Sequence, residues 1–242
     1  MRAELSETPE SATARASDLR IGGLEKLSLV DWPGRLSATL FLQGCAWRCR
    51  YCHNPHLIPF AAAPGGGPTW TSVLAWLSRR RGLLDGVVFS GGEPTWQAGL
   101  GAAVEAVREL GFAAALHTGG PRPDRMERLL PRLAWVGFDF KAPFARYAGV
   151  TGADDGGRAR ASLRLLLDAG VAHEIRTTWH PQLLAPGDLE AMASTLVDEG
   201  VRTWVIQRFR PDGCADPELR AHPAGEPPVE RLRHPALSIV VR

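Results

Sequence analysis

The sequence predicts an α/β protein with a single domain built around a parallel sheet. The chain has 242 residues, of which 45% are hydrophobic, enough to bury the core of one large α/β domain. Apolar runs rich in β-branched residues alternate with helical patterns about six times, which is typical of strand–helix–strand units. Several helical patterns stop at a glycine, such as Gly111, Gly170 and Gly200, because glycine ends a helix in the left-handed conformation without strain.

The elements follow one another in a regular order. A short strand between residues 21 and 35 turns at Pro33-Gly34 and leads into the first core strand. The core strands are predicted at Leu36–Gln43, Gly86–Ser90, Phe112–Leu116, Ala134–Phe140, His173–Trp179 and Arg202–Phe209. The helices are predicted at Trp70–Arg81, with Thr69 as N-cap, and at Gln97–Leu110, Asp124–Pro131, Arg158–Ala169 and Gly187–Glu199. Six such units are too few for a closed eight-fold barrel.

The predicted core domain extends from residue 21 to residue 216. Residues 1–20 are mostly polar and carry no apolar segment of the signal-peptide kind, which predicts a disordered tail. Residues 217–242 are predicted to be a Pro-rich tail with a last strand at Leu237–Val241. The formal charge of +2 argues against nucleic-acid binding, and no apolar run is long enough for a membrane span. We expect a reducing cytoplasm, which suits a thiol-rich site.

Lysine is rare in this chain. Only Lys26 and Lys141 among the 28 basic residues are lysines. A lysine that is retained in such a chain can be needed for its compact ammonium, which the planar guanidinium of arginine cannot imitate.

Three of the four cysteines lie close together, at Cys45, Cys49 and Cys52. Their sulfurs can converge on one metal centre, whereas a closed zinc or iron–sulfur site normally takes four protein ligands. A structural zinc ion held by the three cysteines and His53 or His56 is an alternative. Haem attachment at Cys49-x-x-Cys52-His53 is disfavoured because it usually accompanies export, and three unligated buried cysteines so close together are also disfavoured.

The spacing Cys-x3-Cys-x2-Cys, with Tyr51 before the third cysteine, resembles the signature of the radical S-adenosylmethionine (SAM) enzymes. This resemblance implies a partial (β/α)6 barrel and a [4Fe–4S] cluster on Cys45, Cys49 and Cys52, whose fourth iron binds SAM. The segment Gly91-Gly92-Glu93-Pro94 also matches the family, in which backbone and carboxylate hold the ammonium group of SAM.

Polar residues follow every core strand, and in a parallel barrel such groups collect on one rim. Asp139 and Lys141 face the same side of their strand and resemble the Asp-x-Lys of glycyl-radical activating enzymes, which lies next to SAM. The family implies that Tyr51 contacts the adenine of SAM, while Arg176 and His180 lie on the rim without an assigned role. The residues expected to bind the cofactors, besides the three cysteines, are Tyr51, His53, Gly91, Gly92, Glu93, Pro94, Thr118, Asp139 and Lys141.

Longer matches narrow the resemblance to the longer form of the anaerobic ribonucleotide reductase activating protein. They are Ser28–Gly34, Cys52–Pro55, Lys141–Pro143, Arg176–Thr178 and Gln207–Arg210. One departure is His117-Thr118-Gly119-Gly120, where relatives commonly have Asp-Thr-Asn-Gly. A carboxylate that could help to bind a cation near SAM is thereby replaced by an imidazole.

This resemblance implies a radical SAM oxidoreductase that activates a partner enzyme. A small electron carrier, such as flavodoxin or ferredoxin, reduces the cluster, which cleaves SAM to methionine and a 5′-deoxyadenosyl radical. That radical takes a hydrogen atom from a glycine of the partner, expected to be anaerobic ribonucleotide reductase. The alternatives are a radical SAM enzyme acting on a small molecule or tRNA, and a zinc-binding interaction module without catalysis. The distant Cys214 could complete a four-cysteine site, but we expect it to take no part in the metal centre.

Overall fold

The structure, a computed structural model, describes residues 14–61 and 66–242 and contains one eight-stranded sheet. The strands lie side by side in chain order. They are β1 (Ile21–Ser28), β2 (Ser37–Leu42), β3 (Gly86–Gly91), β4 (Ala113–Thr118), β5 (Trp135–Asp139), β6 (His173–Trp179), β7 (Thr203–Arg208) and β8 (Ser238–Val241). The strands from β2 to β8 are parallel, and β1 pairs with β2 in the antiparallel direction.

This sheet confirms the predicted α/β class and the single parallel sheet. Among the described residues β1 and β8 have no strand on their outer sides, so the barrel is partial and open between them. All six predicted core strands are present, and β6 has the predicted bounds.

Helices connect the parallel strands. They are α1 (Trp70–Ser78), α2 (Leu100–Glu109), α3 (Pro123–Leu129), α4 (Tyr147–Thr151), α5 (Gly156–Ala169), α6 (Pro186–Asp198) and α7 (Pro217–Ala221). The predicted N-cap is confirmed, since the Thr69 side chain accepts a hydrogen bond from the Ser72 amide. The two five-residue helices α4 and α7 were not predicted, because a single turn carries no hydrophobic period.

Alternate strand residues face the helices and the lumen. Val87 and Phe89 of β3 lie in the large core under the helices, whereas Val88 between them lies in a small cluster with Trp32, Ala115 and Trp135. The Trp32 and Trp135 rings stack at a centroid distance of 6.2 Å and fill the lower lumen. Side chains alternate between the two faces of a strand, so the residues that follow Val88 on the same face point into the upper part of the lumen.

The packed unit extends beyond the predicted core of residues 21–216 at both ends. Residues 16–18 form a 3-10 helix, and Leu19 is buried in the core, while the remainder of the predicted tail, residues 1–13, lies outside the described residues. At the other end β8 pairs with β7, so the predicted last strand is part of the sheet. No helix in the described part of the chain has the length and apolarity needed to cross a membrane.

Candidate active site

A cavity of about 540 Å³ opens at the C-terminal ends of the strands. Almost every residue predicted to bind a cofactor lines it. These residues are Cys45, Cys49, Tyr51, Cys52, His53, Gly91, Gly92, Glu93, Thr118, Asp139 and Lys141. Pro94 does not line the cavity; it is buried and begins the 3-10 helix Pro94–Trp96. A cavity of this size is sufficient for a small cofactor.

Backbone hydrogen bonds hold the start of the cysteine loop against β3. The Gly44 amide donates to the Leu57 carbonyl over 2.7 Å, and the Gly44 carbonyl accepts from the Glu93 amide over 2.9 Å. A Cβ atom on Gly92 would lie 2.4 Å from the Gly44 oxygen. Glycine at residue 92 is therefore required by the close approach of two backbones, which places Glu93 beside the cysteines.

The residues between the first two cysteines are fixed by the segment around α4. The Trp47 indole donates to the Asp155 carboxylate over 2.8 Å, and the Arg48 amide donates to the Thr151 carbonyl over 2.7 Å. The Trp47 ring is buried and lies where a side chain on Gly119 would be. Sequence reasoning did not identify Trp47, because a lone tryptophan in a loop gives no signal of its partner.

We expect Gly119→Ala to displace the Trp47 ring, since the added Cβ would lie 2.2 Å from it and 2.9 Å from the Lys141 side chain. Overpacking of this kind costs roughly 1–3 kcal/mol of unfolding free energy, measured by denaturant titration with tryptophan fluorescence. Gly149→Ala is the matched control, because Gly149 is exposed in α4 with open space around it. Equal stability of the two variants would contradict the prediction.

The three cysteines are free thiols in a partly buried setting. Burial raises the pKa of Cys45 to about 12 and of Cys49 to about 11, and it also raises the pKa of Cys52. The thiolates therefore need a nearby positive charge, which metal ions supply. Within residues 14–61 and 66–242, no three His, Cys, Asp or Glu side chains are close enough to hold one metal ion. Thiolates are ligands of iron–sulfur clusters and of zinc ions, so the chemistry of the three cysteines fits either kind of centre.

The Glu93 carboxylate organises the rim around the cavity. Its Oε1 accepts from the Thr95 amide, the Thr95 hydroxyl and the Thr118 hydroxyl at 2.6–3.0 Å, and its Oε2 accepts from the Gly119 amide at 3.0 Å. Burial raises the pKa of Glu93, although these donors oppose the shift. Three bonds occupy Oε1 while Oε2 has only one, so Oε2 retains the capacity to accept from a bound ammonium group. The Thr118 hydroxyl is used to hold this carboxylate.

Asp139, the last residue of β5, is shared by two cations: Lys141, just beyond that strand, and Arg176 in the middle of β6. Its Oδ1 accepts from Nε and Nη2 of Arg176 at 2.9 and 2.8 Å, and its Oδ2 lies 3.3 Å from Nζ of Lys141. Burial by itself raises the pKa of Asp139, but Arg176 and Lys141 more than compensate and hold it at about 2. Burial likewise lowers the pKa of Lys141, and Tyr51, Asp139 and Cys49 raise it well above its usual value. The Lys141 ammonium also lies 5.6 Å from the ring centres of Trp47 and Tyr51, so a permanent positive charge faces the cysteine loop.

His117 occupies the lumen below this ion pair. Its Nε2 lies 2.7 Å from the Asp31 carbonyl and 3.2 Å from Nη1 of Arg176, and its Nδ1 lies 3.2 Å from the Ser90 hydroxyl. Burial and the adjacent Arg176 lower the pKa of His117 to about 4. The imidazole that replaces the expected Asp is thus an uncharged structural link between β4 and the loop after β1.

The low pKa of His117 predicts a pH-dependent stability. The His117 imidazole binds a proton near pH 6.5 in the unfolded chain and only near pH 4 in the folded chain. Its contribution to the free energy of unfolding is therefore complete above pH 6.5 and is lost as the pH falls towards 4. The expected loss is up to roughly 3 kcal/mol. His117→Gln keeps a donor for the Asp31 carbonyl and has no titrating group. We expect its unfolding free energy to vary less between pH 7 and pH 5 than that of the wild type; parallel curves would contradict this.

His180 and Cys214 both lie outside the lining of the cavity. His180 is fully buried and outside the cavity lining; its Nε2 lies 3.1 Å from the His222 carbonyl and its Nδ1 accepts from the Gln182 amide. It therefore supports the loop after β6. The Cys214 thiol donates to the Arg50 carbonyl over 3.3 Å, so this cysteine lies beside the turn of the other three. No local pattern in the sequence indicates this contact across 164 residues.

Comparison with known proteins identifies the family. The sequence model of the Radical SAM superfamily matches residues 39–203, which include all three clustered cysteines and the whole of strands β3 to β6. The chain belongs to the radical SAM superfamily. It is 31% identical over 213 residues to a Methanocaldococcus jannaschii protein provisionally named a glycyl-radical enzyme activating enzyme, covering 84% of this chain and 85% of the relative. It is 35% identical over 127 residues to the pyruvate formate-lyase-activating enzyme of Clostridium pasteurianum, covering 50% and 52% of the two chains.

Solved structures show the same fold. SuiB of Streptococcus suis, crystallised with S-adenosylmethionine, superposes with a TM-score of 0.56 at 13% identity over 83% of this chain. The present chain spans about half of SuiB, 48% of its length, so this likeness concerns the fold alone. Radical SAM enzymes use a [4Fe–4S] cluster and S-adenosylmethionine, and these are the cofactors of this family.

Proposed function

We propose that this radical SAM enzyme generates a glycyl radical on a partner enzyme, and that the partner is anaerobic ribonucleotide reductase. The observation that carries the proposal is the meeting of three cysteines, Glu93 and Lys141 on one cavity, in a chain that shares 31% identity with a relative named for glycyl-radical activation. The matches at Ser28–Gly34 and Gln207–Arg210 support the reductase as the partner.

In this proposal Cys45, Cys49 and Cys52 hold the cluster, and the residues around them orient SAM. When bound, the two cofactors supply the electron and the radical chemistry. Oε2 of Glu93 accepts a hydrogen bond from the ammonium group of SAM. The Lys141 ammonium places a positive charge beside the loop that carries the cysteine thiolates. Tyr51 and Trp47 form an apolar wall that excludes water from the reacting atoms. A small electron carrier, such as flavodoxin or ferredoxin, and a reducing cytoplasm complete the proposal.

The edge of the cavity supports a protein substrate more than a small molecule. The end of β1 and the loop after it expose three neighbouring apolar side chains, Leu27, Leu29 and Val30, with exposures of 55%, 66% and 83%. Val30 also lines the cavity itself. An exposed apolar group beside a reaction site is typical of a surface that docks another protein.

We expect the double variant Leu27→Ser, Leu29→Ser to cleave SAM with a chemical reductant as the wild type does, but to form several-fold less glycyl radical on the reductase. The reason is that both side chains are exposed and neither lines the cavity. The measurements are 5′-deoxyadenosine yield without partner and radical yield with it. Leu83→Ser, which changes an apolar residue exposed by 62%, is the control. An unchanged radical yield would argue against docking at this edge.

The decisive experiment uses the full chain, reconstituted anaerobically with iron and sulfide. Mixed with SAM, a reductant and the anaerobic ribonucleotide reductase of the same cell, it is expected to give a glycyl doublet in electron paramagnetic resonance. SAM cleavage without a doublet would reject the reductase as partner. A colourless protein with stoichiometric zinc that cleaves no SAM would reject the cofactor assignment.

A further inference from the structure

The turn that carries the second and third cysteines is held by a segment more than 160 residues later in the chain. The Arg50 guanidinium donates from Nε to Asp216 over 2.6 Å and from Nη2 to Glu218 over 2.8 Å. Arg50 lies between Cys49 and Cys52, and the Cys52 amide donates to the Cys49 carbonyl over 3.0 Å. The ion pair is therefore attached directly to the turn that presents both sulfurs.

Two backbone contacts reinforce this attachment. The Cys214 thiol donates to the Arg50 carbonyl over 3.3 Å. Gly213, at φ +78°, has its backbone so close to the turn that a Cβ atom would lie 2.4 Å from the His53 oxygen. Side chain and main chain of the turn are thus both held from the same side.

The later segment is itself fixed in the fold. Oδ1 of Asp216 caps α7 by accepting from the Glu218 and Leu219 amides at 2.9 and 3.1 Å, while its Oδ2 faces Arg50. Leu219 is fully buried in the core. A carboxylate anchored in this way restrains Arg50 more than a flexible surface partner would.

The inner side of the turn faces the cofactor site. Tyr51 is buried and its ring lies 5.6 Å from the Lys141 ammonium. Since Arg50 points outward and Tyr51 inward from adjacent positions, a shift of the backbone at Arg50 moves Tyr51, Cys49 and Cys52 together.

We propose that Arg50 and Asp216 are positioning residues that fix the geometry of Cys49, Cys52 and Tyr51, and thereby the retention and reduction potential of the cluster and the binding of SAM. This inference rests on the proposed assignment of the cluster to the three cysteines. It assigns to the end of the chain a role in the site that neither the cysteine spacing nor the family match indicates.

The test compares Arg50→Gln, Asp216→Asn and the double variant with the wild type, all as full chains reconstituted anaerobically. Partners that orient metal ligands typically change metal affinity about 10- to 100-fold. We expect about tenfold faster loss of iron to a chelator, a shifted midpoint potential, a changed electron paramagnetic resonance spectrum of the reduced cluster on adding SAM, and a raised KM for SAM. The double variant should be no worse than Arg50→Gln, because Arg50→Gln already removes the ion pair with Asp216, whereas Asp216→Asn alone keeps the pair of Arg50 with Glu218 and should have the smaller effect.

Controls separate positioning from general stability. Arg164→Gln removes a comparable two-point pair with Glu199 in which neither residue lines the cavity, and it should leave every readout unchanged. Arg50→Lys keeps one charged donor and should restore part of the iron retention. Hydrogen exchange of residues 49–53 in the cluster-free protein should be faster in Arg50→Gln, which tests the restraint without any cofactor.

Wild-type behaviour of Arg50→Gln and Asp216→Asn in chelator resistance, potential and exchange would overturn the inference while leaving the proposed function intact. A wild-type protein that takes up no cluster would instead overturn the proposed function. Equal effects of Arg164→Gln and Arg50→Gln would also overturn the inference, since the change would then reflect stability alone.

Discussion

Cys49→Ala is expected to yield a protein that takes up no [4Fe–4S] cluster and cleaves no SAM above background. With only two thiolates left, an iron cluster has too few protein ligands to be retained, whereas three leave one iron open for the cofactor. The measurements are iron and sulfide content, visible absorbance and 5′-deoxyadenosine after anaerobic reconstitution. Cys45→Ala and Cys52→Ala should behave in the same way.

Cys214→Ala is the matched control for these losses. Its thiol is buried and donates to the Arg50 carbonyl, so we expect it to retain the cluster and most SAM cleavage, with at most faster release of iron. Complete loss of the cluster in Cys214→Ala would show a four-cysteine site and contradict an open iron. Full activity in Cys49→Ala would contradict the assignment of the ligands.

Asp139→Ala is expected to destabilise the folded protein by roughly 3 kcal/mol and to prevent tight SAM binding. The carboxylate is shared by Arg176 and Lys141, whose side chains are only 10% and 13% exposed. Without it, two cations remain near each other in a poorly solvated site, and this uncompensated charge is costly. The measurements are denaturant unfolding of the cluster-free protein and SAM binding by the reconstituted one.

Asp124→Ala provides the comparison, because Asp124 also pairs with two arginines but is 48% exposed. Exposed ion pairs contribute about 0–1 kcal/mol, so this variant should unfold nearly as the wild type does. If both variants lost the same stability, burial of the Asp139 carboxylate would not be the cause. A stable Asp139→Ala that binds SAM normally would remove Asp139 from the site.

Local patterns predicted the strands and the rim, and the structure explains why the rest could not be predicted in the same way. His173–Trp179 and the Thr69 cap were found because hydrophobic period and capping chemistry act within a few residues. The contact of Asp139 with Arg176 required the pairing of β5 with β6, which sets those two residues side by side. The contacts of Trp47 with Asp155 and of Arg50 with Asp216 join loops across more than 100 residues, and no local period encodes them.

The contacts in the structure also add to the roles that the sequence predicted for individual residues. Glu93 was expected to face an ammonium group. Its four hydrogen bonds with Thr95, Thr118 and Gly119 also join the segment after β3 to the end of β4. His117 was expected only as the loss of a carboxylate, and it is a neutral link inside the lumen. These roles follow from burial and partner geometry, which a residue type alone does not specify.

Chemical labelling of the two lysines can measure the opening of the cavity. Lys26 is exposed on β1, whereas Lys141 is enclosed by Trp47, Tyr51 and Asp139. An amine-reactive reagent should therefore modify Lys26 quickly and Lys141 only when the rings above it separate. Because the rest of the basic residues are arginines, the ratio of label on two peptides in a mass spectrum would report how often this cavity opens in solution.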